Sequence, residues 1–145
     1  MNHRIDILIP RNRGCPVVTV EVRRSVVFTP GDQEKRMLKA LTLSADMVCF
    51  DLEDAVTPDA KEPARQLVKS VLDAMPETTG APARCVRINA LSSDEWRSDL
   101  GIVMQARPPA LLVPKAEDPA AVPRLSVDLD AGEARNHPHA GPPGP

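Results

Sequence analysis

Met47-Val48-Cys49-Phe50-Asp51-Leu52-Glu53-Asp54 starts as an apolar run and ends with three carboxylates in four positions. An apolar run this short, closed by charge, reads as a strand covered on both faces, the usual state of strands in a parallel sheet. Successive side chains of a strand point to opposite faces, so Val48, Phe50 and Leu52 share one side and Cys49, Asp51 and Glu53 the other. The larger apolar set is expected to meet helices. Asp51 and Glu53 then face the other side, at the C-terminal end of the strand.

The sequence on either side follows the same plan. Upstream, Val26-Val27-Phe28 is a strand closed by Pro30-Gly31, and Asp32 is expected to cap a helix with Met37, Leu38, Ala40 and Leu41 on one side. Downstream, Thr57-Pro58 offers an N-cap and a first-turn proline to a helix in which Ala64, Leu67, Val68, Val71, Leu72 and Met75 recur at helical spacing. Gly80-Ala81-Pro82 makes a loop, and Cys85 to Asn89 a third strand. Ser92-Ser93-Asp94 is placed to cap a helix carrying Trp96, Leu100, Val103 and Met104, which Pro108-Pro109 stops. Ala110 to Val113 is a fourth buried strand, and Asp118-Pro119 begins a helix that Pro123 interrupts. Strands alternating with helices predict an α/β fold with a parallel sheet and right-handed crossovers.

The two ends depart from this pattern. Residues 1–16 carry Arg4, Arg11 and Arg13 without periodicity and are expected to be a loosely attached extension. Residues 126–145, rich in Asp, Glu, Gly, Pro and His, are expected to form a disordered tail, which leaves 17–125 as the folded domain.

Composition narrows the function. The chain has 145 residues, 42% hydrophobic and 26% charged, an ordinary globular balance. With two Phe, one Trp and no Tyr, its core must be aliphatic, which disfavours a β-sandwich. A net charge of −2 gives no general attraction to polyanions, so a small molecule is a better expected partner than nucleic acid or an anionic membrane. The glycines form neither G-x-G-x-x-G nor a phosphate loop, and H-E-x-x-H is absent, so nucleotide-binding and zinc-hydrolase readings lose their usual support. His3, His137 and His139 all lie in the end segments, which leaves carboxylates, Arg and Lys as the chemical tools of the domain. Cys15, Cys49 and Cys85 are widely spaced, as expected in a reducing cytoplasm, and Cys49 and Cys85 read as small buried apolar residues. No segment suits a signal peptide or a membrane span.

Alternation also places these tools. Cys85, Arg87 and Asn89 share a face, which puts Arg87 and Asn89 beside Asp51 and Glu53. In the fourth strand Leu111, Val113 and Lys115 fall in one phase, with Glu117 close behind. Asp54 points away from Glu53 unless the strand end breaks the pattern. Charged groups at C-terminal strand ends mark where parallel α/β sheets bind ligands. An equally good account from spacing alone has Asp51, Glu53, Arg87 and Lys115 pairing as ions to tie the strand ends together.

Four segments in order, Arg23 to Gly31, Asp51 to Val56, Val86 to Leu91 and Val113 to Glu117, resemble the citrate lyase beta-subunit and malyl-CoA lyase group of the HpcH/HpaI aldolase family, over about residues 23–125. The resemblance implies a (β/α)8 TIM barrel, of which this chain would hold about four of eight units, since a whole barrel needs ~250 residues. It also implies a carbon–carbon lyase or aldolase acting on a 3-hydroxyacyl-CoA such as citryl-CoA or malyl-CoA, with Mg2+ stabilising the enolate. By matched position Arg87 and Lys115 become substrate-binding residues. Glu53 and Asp54 become catalytic acids that position water near the metal. The family's direct metal ligands lie on later strands and have no counterpart here.

The chain is therefore expected to be a fragment, inactive alone and self-associating through open half-barrel edges. Met47, Cys49, Cys85, Leu111 and Val113 would form the exposed inner face. A non-enzymatic half-barrel interaction module and a 2-keto-3-deoxy sugar-acid aldolase fragment are the alternatives.

Overall fold

Five strands make one sheet in the order β1-β5-β4-β3-β2 in the computed structural model, which describes residues 7–10, 23–75, 78–116, 123 and 125. They are β1 (Ile7–Pro10), β2 (Val26–Pro30), β3 (Met47–Asp51), β4 (Ala83–Arg87) and β5 (Ala110–Val113). Helices α1 (Glu34–Ala40), α2 (Lys61–Ala74) and α3 (Glu95–Ala106) connect β2 to β3, β3 to β4 and β4 to β5. All four strands from β2 to β5 run parallel, each beside the next in sequence. The fold is α/β, with the strand–helix repeat of an incomplete (β/α)8 barrel. Three expectations, the extension apart from β1, the helix from Asp118 and the tail 126–145, lie outside the described residues, as does Glu117.

The elements start and stop largely where the sequence places them. Every residue of β3 is buried. Thr57 precedes a 3-10 turn, Pro58–Ala60, with proline in its first turn, and α2 follows directly. The side-chain caps differ from expectation. Gln33, not Asp32, is the N-cap of α1, and Asp94 at the start of α3 makes no side-chain cap bond. Ser93 Oγ donates to the Ala90 carbonyl instead, at 2.8 Å.

The main core lies on the helix side, where Val48, Phe50 and Leu52 meet Val86, Ile88, Leu111 and Val113 beneath Met37, Val68, Trp96 and Val103. Leu111 and Val113 correct the expected phase. Val86 lies opposite Leu111, and Arg87 opposite Leu112, so Ala110 and Leu112 face the other side of the sheet. Counting alternation back from Lys115 fails because Pro114 ends the strand and Lys115 is left-handed, with φ 51°. The expected exposed inner face is corrected too. Met47, Cys49, Cys85 and Ala110 are at most 1% exposed and pack as a second cluster flanked by Ala83 and Leu112. Cys49 and Cys85 lie opposite each other in register, and contact with Cys85 and burial push the Cys49 thiol far up, which keeps it protonated and unreactive.

One difference concerns the N-terminal extension. Ile7–Pro10 forms β1, antiparallel to β5, with Ile7 opposite Val113 and Pro10 opposite Ala110. Strand β5 is thus paired on both edges, which satisfies backbone groups that an edge strand leaves open.

Candidate active site

The parallel register brings Asp51, the last residue of β3, opposite Arg87, the last residue of β4. Asp51 accepts two bonds from Arg87, from Nε at 2.8 Å and from Nη2 at 2.5 Å. This two-pronged match is the strong form of an Arg–carboxylate contact. The same carboxylate accepts the Glu53 N–H at 2.8 Å and the Ala55 N–H at 3.2 Å, folding the chain into a tight turn after β3. One side chain therefore fixes both the arginine fork and the turn that carries the remaining acids. The Asp51 contacts raise the Arg87 pKa against the opposing effect of burial, so the guanidinium stays charged.

Glu53 follows on that turn and is 6% exposed. Its Oε1 lies 2.5 Å from Lys115 Nζ and its Oε2 3.4 Å from Arg87 Nη1. Among the described residues both contacts are ion pairs of a buried carboxylate, that with Lys115 at hydrogen-bond distance. Lys115 Nζ also lies 3.3 Å from Asp54 Oδ1. The contact with Glu53, and after it that with Asp54, lifts the Lys115 pKa above the ordinary lysine value. The Phe28 ring, half exposed, sits 5.2 Å from the Arg87 guanidinium carbon, within cation–π range.

Glu53, Asp54, Arg87 and Lys115 thus come together at the C-terminal strand ends. Asn89 does not join them. It is buried, and its side-chain amide donates to the Leu52 carbonyl and to Asp99 on α3. Asp51 and Phe28 belong to the cluster but were not expected among its binding residues. The signal for Phe28 lies in the register, since Phe28 pairs with Cys49 on the face that Asp51 continues. For Asp51 it lies in the turn, because an Asp two residues before a buried Glu readily accepts that residue's own N–H. Gly31 closes the end of β2 against this turn. Its N–H donates to the Asp51 carbonyl at 2.8 Å, and a Cβ there would lie 2.9 Å from the same oxygen.

Arg87 Nε and Nη2 are taken by Asp51 and Nη1 lies 3.4 Å from Glu53 Oε2, so a carboxylate or carbonyl oxygen gripped at the Nη1–Nη2 edge would share that edge with Glu53. The ion-pair account explains the contact of Asp51 with Arg87, whereas the gathering of Glu53, Asp54 and Lys115 around the same arginine at the C-terminal strand ends is also what a ligand site of a parallel α/β sheet requires. Among the described residues no group of three His, Cys, Asp or Glu side chains is arranged to hold a metal ion. Asp51 is engaged by Arg87 and Glu53 by Lys115, so these acids do not fit as direct Mg2+ ligands, which need oxygens in near-octahedral array.

Residues 24–133 match the family model described as HpcH/HpaI aldolase/citrate lyase. A (3S)-malyl-CoA thioesterase of Cereibacter sphaeroides is 41% identical over 109 residues, covering 73% of this chain and 38% of that protein. The mitochondrial citramalyl-CoA lyase of Mus musculus is 32% identical over 123 residues, covering 83% of this chain and 36% of that protein. Among solved structures, RipC from Yersinia pestis aligns with a TM-score of 0.54 at 26% identity, over 77% of this chain and 43% of that one. The chain thus spans 36–43% of the length of these proteins.

Proposed function

The chain belongs to the HpcH/HpaI aldolase/citrate lyase family, and from that premise we propose that its charged cluster is the substrate-gripping part of a carbon–carbon lyase site for a 3-hydroxyacyl-CoA such as citryl-CoA or malyl-CoA. The observation that carries this reading is the Arg87 fork, fixed by Asp51 with one edge turned toward Glu53. An arginine held this way grips an oxygen that gains negative charge as the carbon–carbon bond breaks. Lys115 adds a second cation on the same side. Glu53 and Asp54 position water or a proton near the reacting carbon. Mg2+ is the ion the family resemblance implies, and its direct ligands would come from residues outside this cluster. No helix among the described residues is long and apolar enough to cross a membrane, and we assign the chain to the cytoplasm on its free Cys49 and Cys85.

The relative named as a thioesterase motivates a second reading, hydrolysis of the CoA ester without carbon–carbon cleavage. The products separate the two. Cleavage yields a shorter acyl-CoA and a keto acid, whereas hydrolysis yields free CoA thiol.

The purified chain should turn over neither citryl-CoA nor malyl-CoA at any Mg2+ concentration, and turnover abolished by EDTA would contradict this. Supplied with a polypeptide bearing the later strands of a relative, it should show Mg2+-dependent cleavage. Arg87→Ala should then lower kcat/KM by roughly a hundredfold or more. An unchanged kcat/KM in that variant would show that the substrate does not bind at Arg87.

A further inference from the structure

On the helix side of the sheet, behind the charged cluster, two ionised side chains are sealed in the core. Asp99 of α3 is fully buried and Arg65 of α2 is 4% exposed. A buried ion pair adds little stability over well-packed apolar residues, so its value is sought in what it holds in place. Arg65 Nε donates to Asp99 Oδ1 at 2.7 Å, and its other nitrogens meet Glu62 and Glu95 nearer the surface. Burial opposes the Arg65 charge, but the contacts with Asp99, Glu95 and Glu62 outweigh it.

The second oxygen of Asp99 leads back to the site. Asp99 Oδ2 accepts both the backbone N–H and the side-chain amide of Asn89, each at 2.7 Å. Asn89 Nδ2 also donates to the Leu52 carbonyl at 2.9 Å, so one amide nitrogen satisfies two acceptors. Lys61, at the start of α2, donates to the same Leu52 carbonyl at 2.8 Å and to the Glu53 carbonyl at 2.7 Å. The backbone at Leu52 and Glu53 is thus gripped from the helix side, while the Glu53 carboxylate emerges on the opposite side between Arg87 and Lys115.

We propose that Asp99 is a positioning residue: anchored by Arg65, its carboxylate orients the Asn89 amide, and Asn89 and Lys61, holding the Leu52 and Glu53 carbonyls of the turn that Asp51 closes, aim Glu53 at Arg87 and Lys115. The importance of this role rests on the reading of Glu53 as a working acid, although the geometry does not. The chemistry at position 99 is restrictive. Arg65 Nε, Asn89 N and Asn89 Nδ2 all donate, so an asparagine at 99 would set its own NH2 against one of them. Position 89 is restrictive too. An aspartate there would face Asp99 without a proton between them and would lose the donor to Leu52.

The test follows the Lys115 side-chain ammonium by NMR titration in the full chain, because its raised pKa reports the Glu53 contact. Asp99→Asn and Asn89→Ala should each move the Lys115 midpoint down toward that of an ordinary lysine. Glu95→Gln, which touches Arg65 only from its exposed end, should leave it unchanged. An unmoved Lys115 midpoint in folded Asp99→Asn or Asn89→Ala overturns the proposal. An equal shift in Glu95→Gln also overturns it, since general loosening would then suffice. Should Asp99→Asn fail to fold, Asn89→Ala, which leaves the Arg65–Asp99 pair intact, decides alone. Binding of malyl-CoA to the unaltered chain is measured alongside. No binding with a displaced Lys115 sinks the functional reading and leaves the positioning role. Binding with an unmoved Lys115 does the reverse.

Discussion

Gly31 shows how tightly single residues constrain the site. A methyl group at this position would meet the Asp51 carbonyl at 2.9 Å, Leu52 Cδ2 at 3.0 Å and Val68 Cγ2 at 3.0 Å. The backbone oxygen has little room to yield, so Gly31→Ala is expected to destabilise the fold by about 1–3 kcal/mol, as overpacking does. A urea unfolding midpoint equal to that of the parent would contradict this. Lys115 gives a pH prediction. Its folded pKa is raised above the ordinary lysine value of 10.5, so the stabilisation it brings is complete below that value and is lost as pH rises through the folded pKa. Lys115→Met should remove this alkaline loss, which unfolding curves at several pH values above 9 would register. Much at this scale was legible in the sequence. Alternation along β3 and β4 suffices to put Asp51 and Arg87 on one face. Asn89 was not legible, because the chain has left the strand by then and Asp99, ten positions on, draws the side chain inward.

Among the elements, the helices carry the clearest signals, since their partners are close in sequence. The apolar stripe of α2 contains Ala64, Val68, Val71 and Leu72, all buried as their spacing predicts. Buried Arg65 lies on the same element and breaks that stripe, and its buried partner Asp99 on α3, with Glu95 and Glu62 nearer the surface, explains it. Gly101 tests the helix interior apart from any steric limit. A Cβ there meets nothing within 4 Å, so Gly101→Ala should stabilise the protein by about 0.5–1 kcal/mol through helix propensity alone. A lowered melting midpoint would show that α3 needs the glycine for another reason. The β5 phase was misread because Lys115, in the left-handed region, does not transmit strand alternation. Strand β1 was missed for a different reason. Its partner among the described residues is β5, about a hundred residues away, and no local pattern encodes so distant a pairing.

For the whole molecule, the expected association through two bare edges and an open inner face no longer holds as first framed. The inner cluster is buried and β1 covers β5, so among the described residues the edge strands are β1 and β2, and β2 carries the apolar Val26 and Phe28 about half exposed. Concentration-dependent self-association should therefore act through β2. Val26→Lys, a charge of the kind that blunts natural sheet edges, should shift sedimentation profiles toward monomer. Profiles identical to those of the parent would place the contact elsewhere. The pairing of β1 with β5 also sets an order of events during synthesis. At about 5–20 residues per second, the residues of β5 leave the ribosome roughly 5–20 s after those of β1. For that interval β1 has no β5 to pair with, so a strand made before the other four is joined to them last, and slowing translation would lengthen the time for which a chaperone or protease finds it unpaired.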